Sequence, residues 1–333
     1  MNILNDESKP LIIYLDQNKW IDLARAHHNR SNGNQYKSIL QKVMEAIESK
    51  KAIFPLSAVH LAETQKNSNT LRRKRLAKVM ATISQSWSIL LDEIIMTTGI
   101  QISAAKLFGF TPPQMPNVFG HGIHFALGID LHQLMTRVSN DPFATSDNFL
   151  HLFETFTSTP QMTEYFLSGI GNKESELIDV KRKYEESLSK FADATEKFRA
   201  QLKSDFHSES SHRNLYIANL LIVIGELINR VLSVYGKTLD DIISMGEGVL
   251  VDFIGSVPNL DVETELVLRR NVNWNRKIDK NDLADISVLS ITIPYCDIVV
   301  TENIWKDLTV RSGLDKKYNT VVLSTINELK EHL

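Results

Sequence analysis

Continuous runs of hydrophobic residues near both ends of the chain predict buried β-strands. The first run, LIIYL at 11–15, contains no polar residue, which is typical of a parallel strand covered on both faces. Comparable runs at 52–56 (AIFPL) and 298–301 (IVVT) predict two more buried strands. The segment SWSILL at 86–91 predicts a further strand, and TVVLST at 320–325 predicts an edge strand.

Hydrophobic residues at helical spacing fill the gaps between these runs. Helices are predicted directly after Asp16, over 35–49, after Ser57 as an N-cap, over the basic segment 71–83, and over 282–292, where Pro294 is expected to end the helix. Strands and helices therefore alternate at both ends of the chain.

The middle of the chain has a different, mainly helical pattern. A polar helix is predicted over 173–204, because its apolar residues keep a heptad-like spacing, at Tyr184, Leu188, Phe191, Phe198 and Leu202. The run LLIVIGELINRVL predicts a buried helix over 212–234, since polar residues interrupt it and leave it too short for a membrane span. The segment FGHGIHFALGID at 119–130 carries three glycines, and no strand is predicted there.

These patterns predict the α/β class, with a parallel sheet built from both ends of the chain. The first part of the core is expected at 1–98 and the second part at 276–333. An inserted α-helical region, 99–275, separates them.

Composition limits the class of protein without identifying it. The chain has 333 residues, of which 43% are hydrophobic and 23% charged, as in ordinary globular proteins. Its formal net charge of −3 does not indicate a nucleic-acid-binding protein, but local basic patches are compatible with that value. One cysteine, Cys296, excludes an intrachain disulfide, and the first ten residues do not resemble a signal peptide. We therefore expect a soluble cytoplasmic protein that does not enter a membrane.

Polar side chains stand at or near the carboxyl ends of the predicted strands. They are Asp16, Glu63, Asp282, Asp285, Glu302 and Asn303. Ligands of open α/β sheets bind at this edge, where parallel strands bring distant residues together. Gathered carboxylates repel one another unless a cation neutralises them, and Mg²⁺ or Mn²⁺ prefers such oxygen ligands. The pattern predicts a metal site that activates water.

Each acid also has an ordinary structural interpretation. Asp16 could simply cap the helix that follows it. Glu63 could be a solvated helix position, and Asp282 and Asp285 could favour a helix N-terminus through its dipole. The combination of all four, rather than any one of them, favours a metal site.

Residues near the strand ends resemble the motifs of PIN-like domains, the fold of many metal-dependent ribonucleases. Such domains open with a strand that ends in Asp, followed two positions later by a small polar residue, here Asp16 and Asn18. Glu63 matches their acid on the helix after the second strand. Asp285 matches their Asp at the start of the helix before the last core strand.

The end of the last core strand departs from this family pattern. PIN-like domains usually have Thr-x-Asp there, whereas this chain has Thr301, Glu302 and Asn303. Asn303 could bind a water or ligate weakly, and Glu302 or Asp282 could supply the missing charge. The departure puts catalytic activity in question more than it does the fold.

The resemblance implies a ribonuclease that hydrolyses phosphodiester bonds with metal-activated water. Asp16, Glu63 and Asp285 would be the catalytic, metal-binding residues, supported by Asn18 and Thr301. The implied cofactor is Mg²⁺ or Mn²⁺, and the implied partner is RNA, with single-stranded DNA as the alternative. The helical insertion would contact a second copy or a regulatory protein, and the family's habits suggest a bacterial toxin or defence system.

Basic residues flank the predicted site on both sides in the sequence. Arg72, Arg73 and Arg75 lie on the helix after Glu63, and Arg276 precedes Asp282. They could contact phosphates beside the metals, although a charge run on a helix is more often a solvated face.

Two other functions compete with the nuclease. A catalytically degenerate PIN-like module would bind nucleic acid or protein without cutting, and Asn303 favours it. A mainly helical interaction protein would use the acids only as helix caps and would show no stabilisation by divalent metals.

Overall fold

A computed structural model describes residues 9–138, 143, 145–169, 186, 189–190, 192–193, 195–200, 203, 209–279 and 281–333. Most of the helix predicted over 173–204 lies outside these residues, including Tyr184, Leu188, Phe191 and Leu202. The described chain is a mixed α/β protein with a four-stranded parallel sheet. The predicted class and the parallel sheet are therefore confirmed.

The strands are short and lie mostly near the chain ends. They are β1 (Leu11–Leu15), β2 (Ala52–Ile53), β3 (Trp87–Ile89), β4 (Phe119–His121), β5 (Ile298–Val300) and β6 (Val321–Leu323).

Helices make up most of the described chain. Those before the middle are α1 (Gln17–His27), α2 (Lys37–Glu48), α3 (Ala58–Gln65), α4 (Thr70–Ser84), α5 (Asp92–Phe108), α6 (Ile123–Ala126), α7 (Leu131–Val138), α8 (Asp147–Thr157) and α9 (Pro160–Ser168). Those after it are α10 (Glu209–Ser233), α11 (Leu239–Ser244), α12 (Glu247–Ser256), α13 (Pro258–Asn271), α14 (Asp282–Tyr295), α15 (Asn303–Ser312) and α16 (Leu314–Tyr318). Short 3₁₀ helices cover Ser31–Tyr36 and Ile326–Glu331.

The main sheet has the order β2-β1-β5-β6 with all neighbours parallel. β1 is central, and its last three residues pair with β5, as Ile13 with Ile298, Tyr14 with Val299 and Leu15 with Val300. β6 is an edge strand, as its sequence predicted. The carboxyl ends of β1 and β5 consequently lie side by side, which places the residues that follow them in one crevice.

Asp297 fastens the start of β5 to β1. Its carboxylate oxygen Oδ2 accepts a 2.7 Å hydrogen bond from the backbone N–H of Ile12, and its own N–H donates to the Ile12 carbonyl at 2.9 Å. Because this clamp stands at the opposite end of the strand from the crevice, it aligns the two strands without joining the site.

Side chains alternate along β1 into two hydrophobic cores. Ile13 and Leu15 join a cluster with α1, α2 and α4, whereas Ile12 and Tyr14 join a second cluster on the other face. Helices thus cover both faces of the sheet, which explains why the strand sequence has no polar position.

A second, two-stranded sheet contains the strand predicted over 86–91, as β3, and a partner, β4, that was not predicted. β4 pairs antiparallel with β3, and Leu56 forms a parallel bridge to Ser88 that links this sheet to the chain after β2. Gly120 makes the strand possible, because a Cβ atom there would lie 2.6 Å from the ring of Phe125. This glycine therefore lets the strand pack closely against Phe125, and it does not mark a loop.

The predicted insertion is joined to the core at both of its ends. α5 runs through the predicted boundary at residue 98. α13 packs on α14, and its Val262 and Leu266 are buried in the second core cluster. A third cluster, with Ile100, Ile217 and Leu260, lies within the helical region.

Pro294 does not end its helix, contrary to the prediction. α14 continues to Tyr295, with Pro294 in its last turn. Proline removes one backbone donor, which is a small loss where only one turn remains, and the N–H of Cys296 still donates to the Thr292 carbonyl.

α10 confirms the helix predicted over 212–234, but it is not wholly buried and its apolar stretch is long enough for a membrane span, contrary to the prediction. Ile217, Ile228 and Leu232 are buried, but Ile222 is 82% exposed and Val223 is 79% exposed. Among the described residues, one helix, Ser211–Ser233, has the length and apolar composition to cross a membrane. Of its apolar 18-residue stretch, 33% is buried. Core helices of soluble proteins share those properties, so the finding is compatible with a soluble protein.

Candidate functional site

Asp16 connects the end of β1 to the start of α1. Its backbone N–H donates to the Val300 carbonyl of β5 at 2.9 Å, which holds it at the edge of the sheet. Its Oδ1 accepts from the N–H of Gln17 at 2.6 Å, so Asp16 is the N-cap of α1. The capping interpretation is correct, and capping accounts for Oδ1.

Glu63 is presented by α3, which begins after the N-cap Ser57 as predicted. His60, one turn before it, is completely buried between β1 and α3. The His60 Nε2 hydrogen-bonds the carbonyl of Leu15 at 2.8 Å, and its Nδ1 accepts from the Ser57 N–H at 3.0 Å. Nε2 is therefore the protonated nitrogen, and His60 links the strand that ends at Asp16 to the helix that carries Glu63.

Asp285 lies in the first turn of α14 and is partly buried. Its Oδ2 accepts a 3.0 Å hydrogen bond from the indole Nε1 of Trp305, a fully buried residue of α15. The indole fixes the orientation of this carboxylate and favours its charged form.

Glu302 follows β5 and is the N-cap residue of α15. Its Oε1 accepts from the side-chain amide of Asn18 at 2.9 Å, which joins the segments after β1 and β5. Thr301 is buried, and its N–H donates to the Leu323 carbonyl. Asn303 is exposed as the first residue of α15.

The carboxylates of this site act on one another electrostatically. Burial, followed by the charge of Asp16, raises the pKa of Glu63 to about 7 and the pKa of Asp285 to about 8. Burial also raises the pKa of Asp16, and the charge of Glu302 adds to this effect. Glu302 likewise raises the pKa values of Glu63 and Asp285. The structure therefore brings together four acids from four separate segments, and the charges of Lys19 and Lys66 oppose the rise in the pKa values of Asp16 and Glu63 only in part.

The acids are not drawn into a tight cluster. Among the described residues, no three side chains of His, Cys, Asp or Glu are placed so that they could hold one metal ion together. Carboxylate oxygens are nevertheless the donors that Mg²⁺ and Mn²⁺ prefer, so the donor chemistry fits these cations.

Asp282 is engaged elsewhere, although it was predicted as a source of the missing charge. Both of its oxygens accept from the guanidinium of Arg276, at 2.6 and 2.7 Å, and Oδ2 also accepts from the Asp279 N–H. This bidentate ion pair is buried on the Asp282 side, which makes Asp282 a structural residue of the helix start.

Some of the basic residues that were predicted to contact phosphates are exposed, and others are internal. Arg73 is 8% exposed and donates to the carbonyls of Asn67 and Ser168, so its prediction as a phosphate contact is wrong. It faces α9, whose packing on α4 the charge run could not reveal. Arg72 is exposed and Arg75 half-buried, while Arg276 is committed to Asp282.

Two residues that shape the site were not predicted from the sequence. The signal for His60 was its position three residues after the N-cap Ser57, where it completes a capping box. Trp305 gave no such signal, because only the packing of α15 on α14 brings its indole to Asp285. Gln17 adds a third link, donating to the buried hydroxyl of Thr64 at 3.0 Å.

Comparison with known proteins adds no relative to this description. The chain matches no family model, no curated protein and no solved structure.

Proposed function

We propose that this protein is a metal-dependent nuclease with a PIN-like core, and that RNA is its substrate. The observation that carries the proposal is a group of three acids, Asp16, Glu63 and Asp285, whose pKa values are raised by burial and by the charge of Glu302 at the carboxyl edge of a parallel sheet. Burying uncompensated acids together costs stability, so a function that uses their charge accounts for them. The choice of RNA rests on the resemblance to PIN-like ribonucleases.

In this proposal Asp16, Glu63 and Asp285 bind Mg²⁺ or Mn²⁺, and Glu302 takes the place of the family's missing acid. The cation would activate the attacking water and stabilise charge on the leaving oxygen. Asp16 contributes one oxygen, since Oδ1 caps α1. Trp305 holds Asp285, and Asn18 holds Glu302. Asn303, exposed next to Glu302, would hydrogen-bond a water or the substrate.

The raised pKa values predict how metal binding should depend on pH. With pKa values of about 7 for Glu63 and about 8 for Asp285, both groups are partly protonated near neutrality in the absence of metal. A divalent cation binds the charged forms and displaces those protons. Binding should therefore release protons and become tighter as the pH rises.

Cleavage assays with matched variants test the proposal. Purified protein is incubated with labelled single-stranded RNA and DNA in Mg²⁺, Mn²⁺ or EDTA, beside Asp16→Asn and Asp285→Asn. We expect metal-dependent cleavage of RNA that falls at least about 100-fold in both variants, because each removes a ligand charge. Asp240→Asn, an exposed acid of α11, is the matched control and should cut normally.

Cleavage that persists in EDTA, or that survives both substitutions, would contradict the proposal. Folding of each variant is checked by thermal melting, so that loss of structure is not mistaken for loss of chemistry.

A second candidate function is a PIN-like module that binds nucleic acid without cutting it. Asn303 at the position of the usual acid favours it, as does the absence of a close metal-binding cluster among the described residues. This candidate is distinguished by Asp16→Ala, which should leave binding of RNA intact provided that the protein folds. The biological setting, a cytoplasmic toxin or defence system with a partner on the helical region, belongs to the same proposal.

A further inference from the structure

A cavity of about 590 Å³ lies between α10, α13 and α14, in the helical region rather than at the acidic site. Its volume falls within the range of small-molecule sites, about 300–1,000 Å³. The lining includes Tyr216 and Leu220 of α10, Val267 and Arg270 of α13, and Leu283 and Ile286 of α14. Three helices, together with Thr195 and Phe198, therefore line a space that is open to solvent on one side and large enough for a ligand.

The wall of the cavity is largely apolar, and so is its exposed side. Ile222 and Val223 line it from α10 and are 82% and 79% exposed. Contiguous apolar surface of this kind marks ligand-binding grooves and protein interfaces. The apolar surface thus continues from the solvent to the interior.

One cation stands inside this apolar space. Arg270 is 3% exposed, and burial lowers the pKa of its guanidinium. Its Nε and Nη2 both donate to one acceptor, the side-chain oxygen of Asn271. None of the ion pairs found among the described residues includes Arg270. A buried guanidinium without a paired anion is costly and is a ready partner for a carboxylate.

The nearest acids do not balance this charge. Asp282 acts on Arg270 electrostatically but is already bound by both branches of Arg276. Glu263 also lines the cavity and accepts from the Tyr216 hydroxyl at 3.3 Å; burial raises its pKa, the charge of Arg270 opposes that rise, and the two side chains form no direct ion pair. The cavity therefore presents the guanidinium of Arg270, without a direct ion pair among the described residues, in a lining that is mainly apolar and includes a few polar groups.

We propose that this cavity binds an amphipathic carboxylate, with its apolar body along α10 and α14 and its carboxylate at Arg270. The anion would complete the hydrogen bonding of the guanidinium, and the chain would cover Ile222 and Val223. The proposed cavity site does not depend on the proposed nuclease activity. The two sites share α14, because Leu283 and Ile286 line the cavity and Asp285 lies at the acidic site.

Binding of a saturated ten-carbon carboxylate, decanoate, below its micellar concentration tests the proposal. The comparison probes are decanol and decyltrimethylammonium, which keep the chain but replace the charge. By calorimetry on the full chain, we expect decanoate to bind at least about tenfold tighter than either, as expected when an ionic bond contributes about 1.4 kcal/mol. Arg270→Gln should remove that preference, and Arg230→Gln, an exposed arginine of α10, should keep it.

A second variant guards against misfolding of Arg270→Gln. Ile224→Trp fills the cavity from α10 and should abolish decanoate binding while cleavage of RNA is unchanged. Absence of binding to the wild type, equal binding of the three probes, or unaltered binding by a folded Arg270→Gln would overturn the proposal. A dimer that covers Ile222 and Val223 and excludes decanoate would overturn it as well.

Discussion

At the residue scale, Glu63 and Asp285 are acids whose ionisation opposes folding. Their pKa values of about 7 and about 8 exceed those of free carboxyl groups, which are about 4, so the folded state binds more protons than the unfolded state between these values. The protonated forms of the two acids stabilise the folded state. That stabilisation is fully present below about pH 4 and is lost as the pH rises through about 7 and 8. Each unit of pKa difference corresponds to about 1.4 kcal/mol.

We therefore expect the melting temperature in EDTA to fall between about pH 5 and pH 8, and Asp285→Asn to reduce that fall. At pH 8 the variant should be more stable than the wild type, because it removes a charge that its neighbours oppose. Mg²⁺ or Mn²⁺ should restore the wild type at pH 8 and have less effect on the variant. Asp240→Asn is the control; if it changes the pH dependence as much as Asp285→Asn does, the site is not responsible.

Trp305 provides a second residue-scale test through its hydrogen bond to Asp285. The bond favours the charged carboxylate, so Trp305→Phe should raise the pKa of Asp285 and move the alkaline loss of stability to higher pH. Hydrogen bonds to charged groups contribute about 1.5–3 kcal/mol, so a shift of about one to two pH units is expected. Melting curves against pH measure it, with Trp274→Phe as the control. An unchanged profile would show that the indole does not act on Asp285.

The sequence predicted which carboxylates stand at the strand ends, because strands bounded by acids can be read directly from hydrophobic runs. It could not predict that Asp282 would be bound by Arg276, since both residues were plausible near the site. Nor could it distinguish Arg73 from Arg72: neighbours in a charge run point to different sides of a helix, and only the position of α9 shows which side is internal.

At the element scale, His60 joins β1 to α3. His60→Phe keeps a ring beside Tyr14, 5.0 Å away between centroids, but leaves the Leu15 carbonyl and the Ser57 N–H without their partner. Each buried unsatisfied group costs about 1–3 kcal/mol, so we expect the free energy of unfolding to fall by about 2–6 kcal/mol.

Urea denaturation of His60→Phe measures this loss. His121→Phe, at an exposed position of β4, is the matched control and should change stability by less than about 0.5 kcal/mol. A loss below that value in His60→Phe would show that the two hydrogen bonds do not hold strand and helix together.

Elements were predicted well where hydrophobic runs were long and poorly where single residues decided the outcome. β1, β5 and β6 follow from runs of apolar residues. β4 depends on the ring of Phe125 lying against Gly120, and the end of α14 depends on how late Pro294 falls within it. Both outcomes depend on packing and hydrogen bonding, which the spacing of hydrophobic residues does not reveal.

At the scale of the whole molecule, the helical region should not be removable as a unit. Deletion of 99–275 takes away α13, and with it Val262 and Leu266 of the second core cluster. Loss of such buried side chains costs about 2–5 kcal/mol each, so this deletion should not fold. Deletion of 131–156 should fold, since α7 has no buried residue and the Thr157 of α8 is retained.

Circular dichroism and melting of the two deletion proteins, each closed with a short Gly-Ser linker, measure the difference. A cooperative melt from the shorter protein lacking 99–275 would show that the core does not need α13. The sequence predicted that the two chain ends form one α/β core, but it set the boundaries by composition, which does not register that α5 and α13 face both regions.

The clamp between Ile12 and Asp297 has a consequence for how the protein is made. The two residues are 285 positions apart, so the central strand leaves the ribosome long before its main partner exists. At a synthesis rate of about 5–20 residues per second, that interval is about a quarter of a minute to one minute. Until then LIIYL has only the two residues of β2 beside it. A nascent chain of this protein therefore keeps one edge of β1 without its native strand partner until β5 has been synthesised, and an unpaired strand edge is open to incorrect pairing.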